Sequence, residues 1–255
     1  MEKYAVVTGA SAGLGMEFAR SLSAKGYRLI LVARREKRLR KLAEQLKTEC
    51  EVIEADLTKT EDCYRVMEAV QNRDVEIFIN NAGFGEYGRF TETSLDKEMD
   101  MIDLNVRAVH LFTKLMLRRM IQKDCGYILN VASCAGLMPA GPYMTAYYAT
   151  KAYVVSLTRA VAEELRENGS HVYVGCLCPG PVNTEFNRVA NVEFQLKGIS
   201  PRYCVRYGLK QMRRKKVVIV PTLPIKLAMT FGRLLPGSVY VKISASQQRK
   251  KSSRI

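Results

Sequence analysis

Tyr147 and Lys151 are two side chains whose spacing suits acid–base chemistry. They stand four residues apart in a segment of helical periodicity, 147–168, so they share one face of the predicted helix. A phenol with a pKa near 10 is a poor catalyst at neutral pH, and bringing that pKa toward 7 takes about 4 kcal/mol of phenolate stabilisation. A neighbouring cation favours the ionised phenol, so the spacing predicts a tyrosine tuned for proton transfer.

A glycine-rich string near the start of the chain predicts a site for a phosphate group. The run Thr8-Gly9-Ala10-Ser11-Ala12-Gly13-Leu14-Gly15 follows a short apolar segment and precedes a helical pattern. Glycine lets the backbone approach a pyrophosphate closely, and the free N–H groups at the start of the helix attract the anion. A plain turn also uses glycines, so the inference depends on the strand before them and the helix after them.

The order of predicted elements indicates the scaffold that positions these residues. Short runs rich in Val and Ile, typical of buried strands, alternate with helical patterns. The predicted strands are Tyr4–Thr8, Arg28–Ala33, Cys50–Glu54, Ile77–Asn80, Gly126–Val131, Val172–Cys178 and Val217–Val220. Helical patterns lie near 14–25, 36–47, 60–72, 97–123, 147–168 and 201–214. The alternation predicts an α/β fold, a doubly wound, mostly parallel seven-stranded Rossmann sheet with helices on both faces.

Six motifs in this order resemble those of the short-chain dehydrogenase/reductase superfamily. They are TGxxxGxG at Thr8–Gly15, NNAG at Asn80–Gly83, Asn105 within LNV, Ser133 after the fifth strand, YxxxK at Tyr147–Lys151, and PGPV at Pro179–Val182. YxxxK alone arises by chance, but the ordered set covers residues 4–186 and is specific. The resemblance implies an oxidoreductase that interconverts a ketone or aldehyde and an alcohol with a nicotinamide cofactor.

The resemblance also implies roles for individual residues. Tyr147 would donate the proton in reduction, Ser133 would hydrogen-bond the substrate oxygen, and Lys151 would also hold the nicotinamide ribose. Asn105 would position a water that relays protons from Lys151. A core tyrosine and a buried helix amide are the plainer alternatives for Tyr147 and Asn105. The predicted cofactor contacts are Gly9, Ser11, Gly13, Leu14, Gly15, Arg34, Arg35, Asp56, Leu57, Asn81, Ala82, Gly83, Tyr147, Lys151, Pro179, Gly180, Val182 and Thr184.

Two arginines after the second strand predict NADP(H) as the cofactor. A cofactor with a free ribose 2′-hydroxyl is usually held by Asp or Glu at this point, whereas this chain has Ala33 followed by Arg34 and Arg35. A carboxylate would repel a 2′-phosphate, and arginine binds one by charge-assisted hydrogen bonds. The resemblance adds Ser11 as a 2′-phosphate contact and places Asp56 and Leu57 beside adenine. The alternative is that both arginines only begin a solvated helix face.

The substrate end departs from the family pattern by one residue. Ser133 and Tyr147 stand 14 positions apart, one more than is common in the family, and we place the extra residue in the loop 138–143. The candidate pocket residues are mostly apolar and slightly favour a lipophilic carbonyl (steroid-like, acyl or xenobiotic) over a sugar; the alternative is that they are ordinary core and rim residues. They are Phe84, Tyr87, Leu137, Met138, Tyr143, Met144 and the segment after Phe186.

The charge of the chain is unevenly distributed. The net charge is +15, yet residues 1–196 hold 25 basic and 25 acidic residues, whereas residues 197–255 hold 15 basic residues and no acid. Such an asymmetry points to an anionic partner or surface. We expect the helix at 201–214 to pack on the sheet with its charges solvated. Residues 223–240 and the basic tail, with Leu227, Phe231, Leu234 and Leu235, are a candidate for membrane-surface docking.

The organisation follows from length and composition. At 255 residues and 47% hydrophobic content we expect one Rossmann-type catalytic domain over residues 1–243, with a basic, partly apolar extension from about 221. Residues 244–255 are expected to be a disordered tail. Seven cysteines without a CxxC pair and two histidines predict no metal site and reduced thiols. Neither a leader nor a membrane span is predicted, which favours a cytoplasmic protein with or without peripheral membrane attachment.

Two classes of function and several partners stay open at this point. The first class is an NADP-dependent carbonyl reductase or alcohol dehydrogenase. The second is a cofactor-binding scaffold or sensor without turnover that uses its basic end to bind a membrane or nucleic acid. The set Asn105, Ser133, Tyr147 and Lys151 favours the enzyme, because a sensor has no chemical need for it. Nucleic acid is the less favoured partner, since no binding motif for it occurs. Homo-oligomers are common in the family and are expected here.

Overall fold

A parallel sheet forms the centre of the molecule. The computed structural model describes residues 2–186, 190, 198–232 and 234–249. Within them seven strands pair in the order β3-β2-β1-β4-β5-β6-β7, all parallel. The strands are β1 Tyr4–Thr8, β2 Arg28–Ala33, β3 Cys50–Glu54, β4 Val75–Asn80, β5 Tyr127–Val131, β6 Tyr173–Leu177 and β7 Val218–Ile219. The predicted doubly wound α/β fold is therefore confirmed.

Strand β4 begins two residues earlier than the apolar run indicates. Its second residue, Glu76, breaks the hydrophobic pattern, but its carboxylate lies 2.6 Å from Lys3 Nζ and 3.0 Å from Arg213 Nη1. These ion pairs compensate the partial burial of the carboxylate and allow it a place in a strand.

Helices cover both faces of the sheet. They are α1 Gly13–Ser23, α2 Glu36–Ala43, α3 Thr60–Ala69, α4 Leu95–Ile102, α5 Val109–Lys123, α6 Thr145–Glu167, α7 Pro201–Arg213, α8 Leu223–Gly232 and α9 Gly237–Arg249. One face of the sheet packs against α1, α2 and α7, and the other packs against α3, α5 and α6. Because both faces are buried, the central strands are apolar along their whole length rather than alternating.

The single helix predicted over 97–123 is interrupted. Between α4 and α5, residues Asp103–Ala108 form a π-helical stretch, in which one extra residue widens the turn. Asn105 lies inside this stretch. Hydrophobic periodicity does not reveal the change, because the apolar positions continue on both sides of it.

The C-terminal region is more ordered than its composition indicates. In α7, Val205, Leu209 and Met212 are buried against the sheet, as expected for a helix packed on it. The last helix, α9, continues to Arg249, whereas a disordered tail was expected from residue 244; residues 250–255 lie outside the described part. The reason for the difference is that Tyr240, Ser244 and Gln248 recur at four-residue spacing and are buried as one face of α9. None of the described helices combines the length and apolarity that crossing a bilayer demands.

Candidate active site

The order of the strands reverses between β1 and β4, and a crevice opens there at the carboxyl ends of the strands. This position is where open parallel sheets bind ligands, because the connections leave in opposite directions on its two sides. The crevice continues into a cavity of about 1140 Å³. Its lining extends from the glycine loop after β1 to the segment after β6, and then to helices α8 and α9.

The glycine loop is shaped by two steric requirements. Gly9 has φ +66°, a left-handed conformation that side chains rarely adopt, and a Cβ there would lie 2.8 Å from the Cα of Ala82. Gly15 allows α1 to approach the loop, because a Cβ at this position would overlap the Gly9 carbonyl oxygen. Both glycines therefore hold the start of α1 close to β1 and open toward the crevice, the arrangement that presents free N–H groups to an anion.

Thr8 ties the first and fourth strands together beneath this loop. Its hydroxyl accepts hydrogen bonds from the backbone N–H groups of Asn81 (2.9 Å) and Ala82 (3.0 Å). In return, Asn81 Nδ2 donates to the Thr8 carbonyl oxygen at 2.9 Å. The threonine was part of the sequence motif but was not predicted as a site residue; its role is to fix the two loops that form the floor of the crevice.

The two arginines predicted to recognise a 2′-phosphate lie at the end of β2, on the crevice. Arg35 Nε donates to Ser11 Oγ at 3.2 Å, so two of the three predicted phosphate contacts are already adjacent. Arg34 Nη1 lies 4.0 Å from Asp56 Oδ2. Ala33 contributes no charge at the position where NAD-binding folds carry an acid. The side of the cavity where adenosine would lie thus carries two arginines, each near a carboxylate that also lines the cavity, Asp56 near Arg34 and Glu185 near Arg35.

Glu185 is a neighbour of these arginines that the sequence analysis missed. Its carboxylate lies 3.3 Å from Arg35 Nη1 and 3.0 Å from Arg38 Nη1, and hydrogen bonds from Arg38 and Arg35 lower its pKa. Arg38 pairs with a residue 147 positions away. No local pattern signals a contact of that range.

Tyr147 and Ser133 meet on the wall of the cavity. Ser133 follows β5 and caps the 3₁₀ turn Cys134–Leu137, its Oγ accepting from the N–H of Ala135 at 3.1 Å. Tyr147 lies on the first turn of α6, and its side chain lines the cavity together with that of Ser133. Burial raises the pKa of Tyr147 well above its usual value, and the Ser133 hydroxyl opposes that effect only in part. The tyrosine is therefore a neutral proton donor across the physiological pH range.

Lys151 lies one turn further along α6 and is buried. Its Nζ lies 5.9 Å from the centroid of the Tyr147 ring and donates to the Val131 carbonyl oxygen at 2.9 Å. Burial lowers the pKa of Lys151 to about 8, because a cation is costly in a medium of low polarity. A lysine with this pKa holds a proton at neutral pH and releases it readily.

Asn105 is fixed from both ends inside the π-helical stretch. Its side-chain amide donates to the Phe84 carbonyl oxygen at 2.9 Å and to Thr150 Oγ1 at 3.1 Å, and its Oδ1 accepts from the Phe84 N–H at 3.2 Å. The widened turn is what brings this side chain to the end of β4. Gly83 separates it from Lys151, since a Cβ on Gly83 would lie 2.7 Å from Asn105 Oδ1 and 3.3 Å from Lys151 Nζ.

Most of the predicted site residues line the same cavity. This holds for three of the four predicted catalytic residues and for every predicted cofactor contact except Gly15. Gly15 lies behind the loop, and Asn105 lies one layer below the surface, behind Gly83. The structure thus brings the predicted residues together, with these two acting through their neighbours.

The substrate end of the cavity is only partly as predicted. Phe84, Met138, Met144 and Phe186 line it. Tyr87 and Tyr143 instead stack on each other with ring centroids 6.1 Å apart, and Leu137 packs beneath the turn after β5. Residues 187–189 and 191–197 of the predicted pocket segment lie outside the described part. Further lining residues come from Tyr148 and from helices α8 and α9, which carry no motif: Ile225, Ala228, Met229, Phe231, Gly232, Leu235, Tyr240, Ile243, Gln247 and Gln248.

Helix α9 is attached to the catalytic part by hydrogen bonds. Gln248 Nε2 donates to the hydroxyl of Tyr148, the residue next to Tyr147. Tyr87 OH donates to the backbone oxygen of Gln248 at 3.3 Å. These bonds hold the inner face of α9 over the apolar end of the cavity.

The loop between Ser133 and Tyr147 absorbs its extra residue with a constrained backbone. Tyr143 has φ +66°, an uncommon conformation for a bulky residue. Its carbonyl oxygen accepts from the N–H of Gly88 at 2.9 Å. Gly141 lies flat against the Tyr148 ring, where a side chain would collide. The loop is therefore held by contacts on both sides, and Ser133 and Tyr147 still meet.

Comparison with known proteins agrees with this geometry. A family model described as short chain dehydrogenase matches residues 3–193. A very-long-chain 3-oxoacyl-CoA reductase of Anas platyrhynchos is 33% identical over 202 residues, 75% of this chain and 63% of that protein. A Homo sapiens protein named inactive hydroxysteroid dehydrogenase-like protein 1 is 33% identical over 74% of this chain and 58% of its own length. The chain thus spans about three fifths of these two relatives.

The fold has a close counterpart among solved structures. A short-chain dehydrogenase from Sphingobium yanoikuyae in complex with NADPH superposes with a TM-score of 0.82. The two sequences are 29% identical, and the match covers 91% of this chain and 93% of that one. The likeness extends beyond residue 193 and thus includes part of the C-terminal region.

Proposed function

The chain belongs to the short-chain dehydrogenase family, and we propose that it is an NADP-dependent oxidoreductase that interconverts a ketone or aldehyde and an alcohol by hydride transfer. One observation carries this proposal. Ser133, Tyr147 and, one turn further along α6, Lys151 line the same cavity as the glycine loop. One ligand in this cavity can thus reach a proton donor, a hydroxyl that can hydrogen-bond the substrate oxygen, and a phosphate-binding loop.

The residues present fit a nicotinamide dinucleotide. The loop at Gly9 is open toward the crevice, Arg34, Arg35 and Ser11 lie where the adenosine end would be, and Lys151 lies at the opposite end. When bound, the nicotinamide would supply the hydride in reduction and accept it in oxidation.

Tyr147 and Ser133 divide the work at the substrate oxygen. The neutral phenol of Tyr147 donates a proton to the oxygen in reduction, and the corresponding phenolate accepts a proton in oxidation. The hydroxyl of Ser133, held by its bond to the N–H of Ala135, orients the same oxygen. Lys151 favours the phenolate that forms when the proton leaves, and its pKa of about 8 lets it replace that proton.

Asn105 belongs to the supply of protons to Lys151. Its Oδ1 and the Lys151 amine both lie beside Gly83, which carries no side chain between them. A water held there by the Asn105 amide would connect the lysine to solvent. The backbone bonds to Phe84 keep the amide in one orientation, so it acts by position rather than by titration.

NADP(H) rather than NAD(H) is the cofactor we propose. The contact between Arg35 and Ser11, the neighbouring Arg34 and the lack of an acid at Ala33 support it, because arginine can bind a 2′-phosphate that a carboxylate would repel. The Sphingobium relative, solved with NADPH, is consistent with this choice.

A lipophilic carbonyl is the substrate class we propose. Phe84, Met138, Met144 and Phe186 make the substrate end apolar, and α8 adds Ile225, Met229 and Phe231. The duck relative named for a very-long-chain 3-oxoacyl-CoA points the same way. We also propose a homo-oligomeric, cytoplasmic protein with peripheral membrane contact through its basic C-terminal region.

A cofactor-binding protein without turnover is the second candidate function. The human relative named as inactive supports this candidate, because membership of the family does not by itself establish catalysis. The complete set Asn105, Ser133, Tyr147 and Lys151 favours the enzyme.

A turnover assay separates the two candidates. NADPH absorbance is followed with a panel of apolar ketones and aldehydes, using the protein, its Tyr147→Phe variant and Tyr153→Phe as the matched control. Tyr153 lies on the same helix but is exposed, with its hydroxyl 2.7 Å from His110 Nδ1. We expect the Tyr147→Phe variant to lose at least about 100-fold in turnover, in the usual range for a general acid, and the control to keep its rate. NADPH binding without oxidation of any kind would support the second candidate.

A further inference from the structure

The exposed large hydrophobic side chains of the C-terminal helices form two rows. Leu223, Leu227 and Phe231 recur at four-residue spacing along α8, and Leu235, Val239 and Ile243 recur at the same spacing through the start of α9. Such spacing places the first row on one side of α8, and Val239 and Ile243 on one side of α9, with Leu235 just before that helix. Leu234, between the rows, is 80% exposed. We call these seven residues the apolar C-terminal face. A clustered apolar surface of this kind marks a site of interaction.

Helix α9 separates this face from the cavity. Its buried residues, Tyr240, Ser244 and Gln248, are directed inward, and Gln248 bonds to Tyr148. Val239 and Ile243 are exposed on another side of the helix. The exposed rows are therefore not an unfilled part of the core, because the helix already has a buried side.

The cavity opens within the apolar C-terminal face. Phe231, Leu235 and Ile243 line the cavity and are at the same time exposed to solvent. These three side chains thus form the rim of its mouth at the substrate end. An apolar ligand that enters between them would pass from the apolar C-terminal face directly into the apolar end of the cavity.

The charge around this face identifies what it contacts. Residues 223–249 include Lys226, Arg233, Lys242 and Arg249 and no acid, within a final quarter of the chain that has none at all. Apolar side chains flanked by cations are what a surface needs in order to rest on an anionic bilayer, where each cation adds to the attraction. Two copies of this face brought together would juxtapose like charges, which disfavours a symmetric dimer through it.

We infer that the apolar C-terminal face rests on the surface of an anionic bilayer and that the mouth of the cavity faces the lipid. The inference deepens the proposed function and rests on it in one respect, that the substrate is a lipophilic carbonyl. Such a substrate would then reach Tyr147 from the acyl chains rather than through water. The helices lie on the bilayer and do not cross it.

Vesicle flotation of the full chain tests the contact. The vesicles are phosphatidylcholine alone or with phosphatidylglycerol, at low and high salt. We expect binding to the anionic vesicles that weakens as salt rises. The double variant Leu227→Ser/Leu234→Ser should bind at least about tenfold more weakly, since two leucines lose their transfer into an apolar medium. Neither residue lines the cavity.

The matched control is Phe90→Ser/Leu95→Ser. These side chains are 63% and 71% exposed, compared with 46% and 80% for Leu227 and Leu234, and they lie just before α4 and at its start, outside α8 and α9. The control should float like the unchanged protein. Equal loss in both double variants, or no binding to anionic vesicles at low salt, would overturn the contact. A dimer that the Leu227→Ser/Leu234→Ser variant converts to monomer, without vesicle binding, would assign the face to a second copy instead.

The position of the mouth has a readout that needs no turnover. The chain contains no tryptophan, so Ile243→Trp introduces a single reporter at the rim. We expect its fluorescence to be quenched by vesicles whose lipids carry bromine on the acyl chains, while Leu95→Trp stays unquenched. Flotation without quenching of the rim reporter would refute the lipid-facing mouth. If the protein reduces no carbonyl, the proposed function fails. The quenching measurement still shows whether the rim of the cavity contacts lipid.

Discussion

Replacing Lys151 by methionine should change the pH dependence of folding stability in a calculable way. Lys151 is only 4% exposed, and burial lowers its pKa from 10.5 to about 8. A buried lysine whose pKa is depressed costs the folded state free energy as long as it stays charged. That cost is complete below pH 8 and disappears as the pH rises toward 10.5. Methionine has a similar length, carries no charge and packs adaptably.

The magnitude follows from the two pKa values. The difference between 10.5 and about 8 corresponds to about 3.4 kcal/mol at pH 7. At pH 9 roughly 1.4 kcal/mol of this cost has been relieved in the protein with lysine, and none in the Lys151→Met variant. The Val131 carbonyl oxygen loses its donor in the variant, but that loss does not depend on pH and cancels in the comparison. Tyr147 does not interfere, because burial raises its pKa and keeps the phenol neutral at pH 9.

Urea unfolding of the cofactor-free proteins at pH 7 and pH 9 measures this effect. We expect the lysine protein to gain about 1.4 kcal/mol relative to Lys151→Met between the two pH values. In melting temperature this is about 3–5 °C for a domain of this size. Lys41→Met, which removes an exposed lysine from α2, is the control and should show no such trend. A stability difference between the protein and Lys151→Met that is the same at both pH values would refute the buried-cation reasoning.

Three other changes have expected outcomes. Replacing Arg34 and Arg35 together by leucine should raise KM for NADPH by at least about tenfold and leave KM for NADH within about twofold. The reason is that each charge-assisted hydrogen bond to the 2′-phosphate contributes about 1.5–3 kcal/mol. Equal changes in KM for both cofactors would contradict the assignment. Gly15→Ala should lower the free energy of unfolding, measured by urea titration, by about 2 kcal/mol or more, because the new methyl group overlaps a backbone oxygen. Gly26 has open space around it but φ +85°, so Gly26→Ala should lose only the free energy of its backbone strain. Gln248→Leu should raise KM for an apolar ketone more than it lowers kcat, because α9 loses its hydrogen bond to Tyr148. Steady-state kinetics in which only kcat changes would contradict this role for α9.

Much of the fold and of the cofactor end follows from local patterns. Buried parallel strands have short sequences rich in Val and Ile, and β1 and β2 therefore begin and end where the sequence predicts. The glycine loop and YxxxK encode steric and spacing requirements within a few residues, and such requirements are visible without a structure. Of the catalytic and cofactor-binding residues between Gly9 and Lys151 that were predicted to meet, all but Gly15 and Asn105 line one cavity.

Contacts between distant parts of the chain could not be predicted in this way. Glu185 pairs with Arg35 across 150 positions, and Gln248 bonds to Tyr148 across 100, with no periodicity to signal either. The π-helical stretch at Asn105 depends on how the side chain bonds to Phe84, a tertiary contact that overrides helical propensity. The tail beyond residue 244 looked disordered because its composition is polar and basic, yet a single buried face suffices to fold it as far as Arg249.

The family match ends at residue 193, and α8 and α9, which close the substrate end, follow it. The residues proposed to handle the hydride and the proton thus lie before this boundary, and part of the apolar wall of the cavity lies after it. The proposed chemistry and part of the proposed selectivity therefore come from separate stretches of the chain. Exchange of residues 221–249 for those of a relative would be a route to a new substrate that leaves Ser133, Tyr147 and Lys151 untouched. The hydrogen bonds that Tyr87 and Tyr148 make to Gln248 mark where such a graft must be matched.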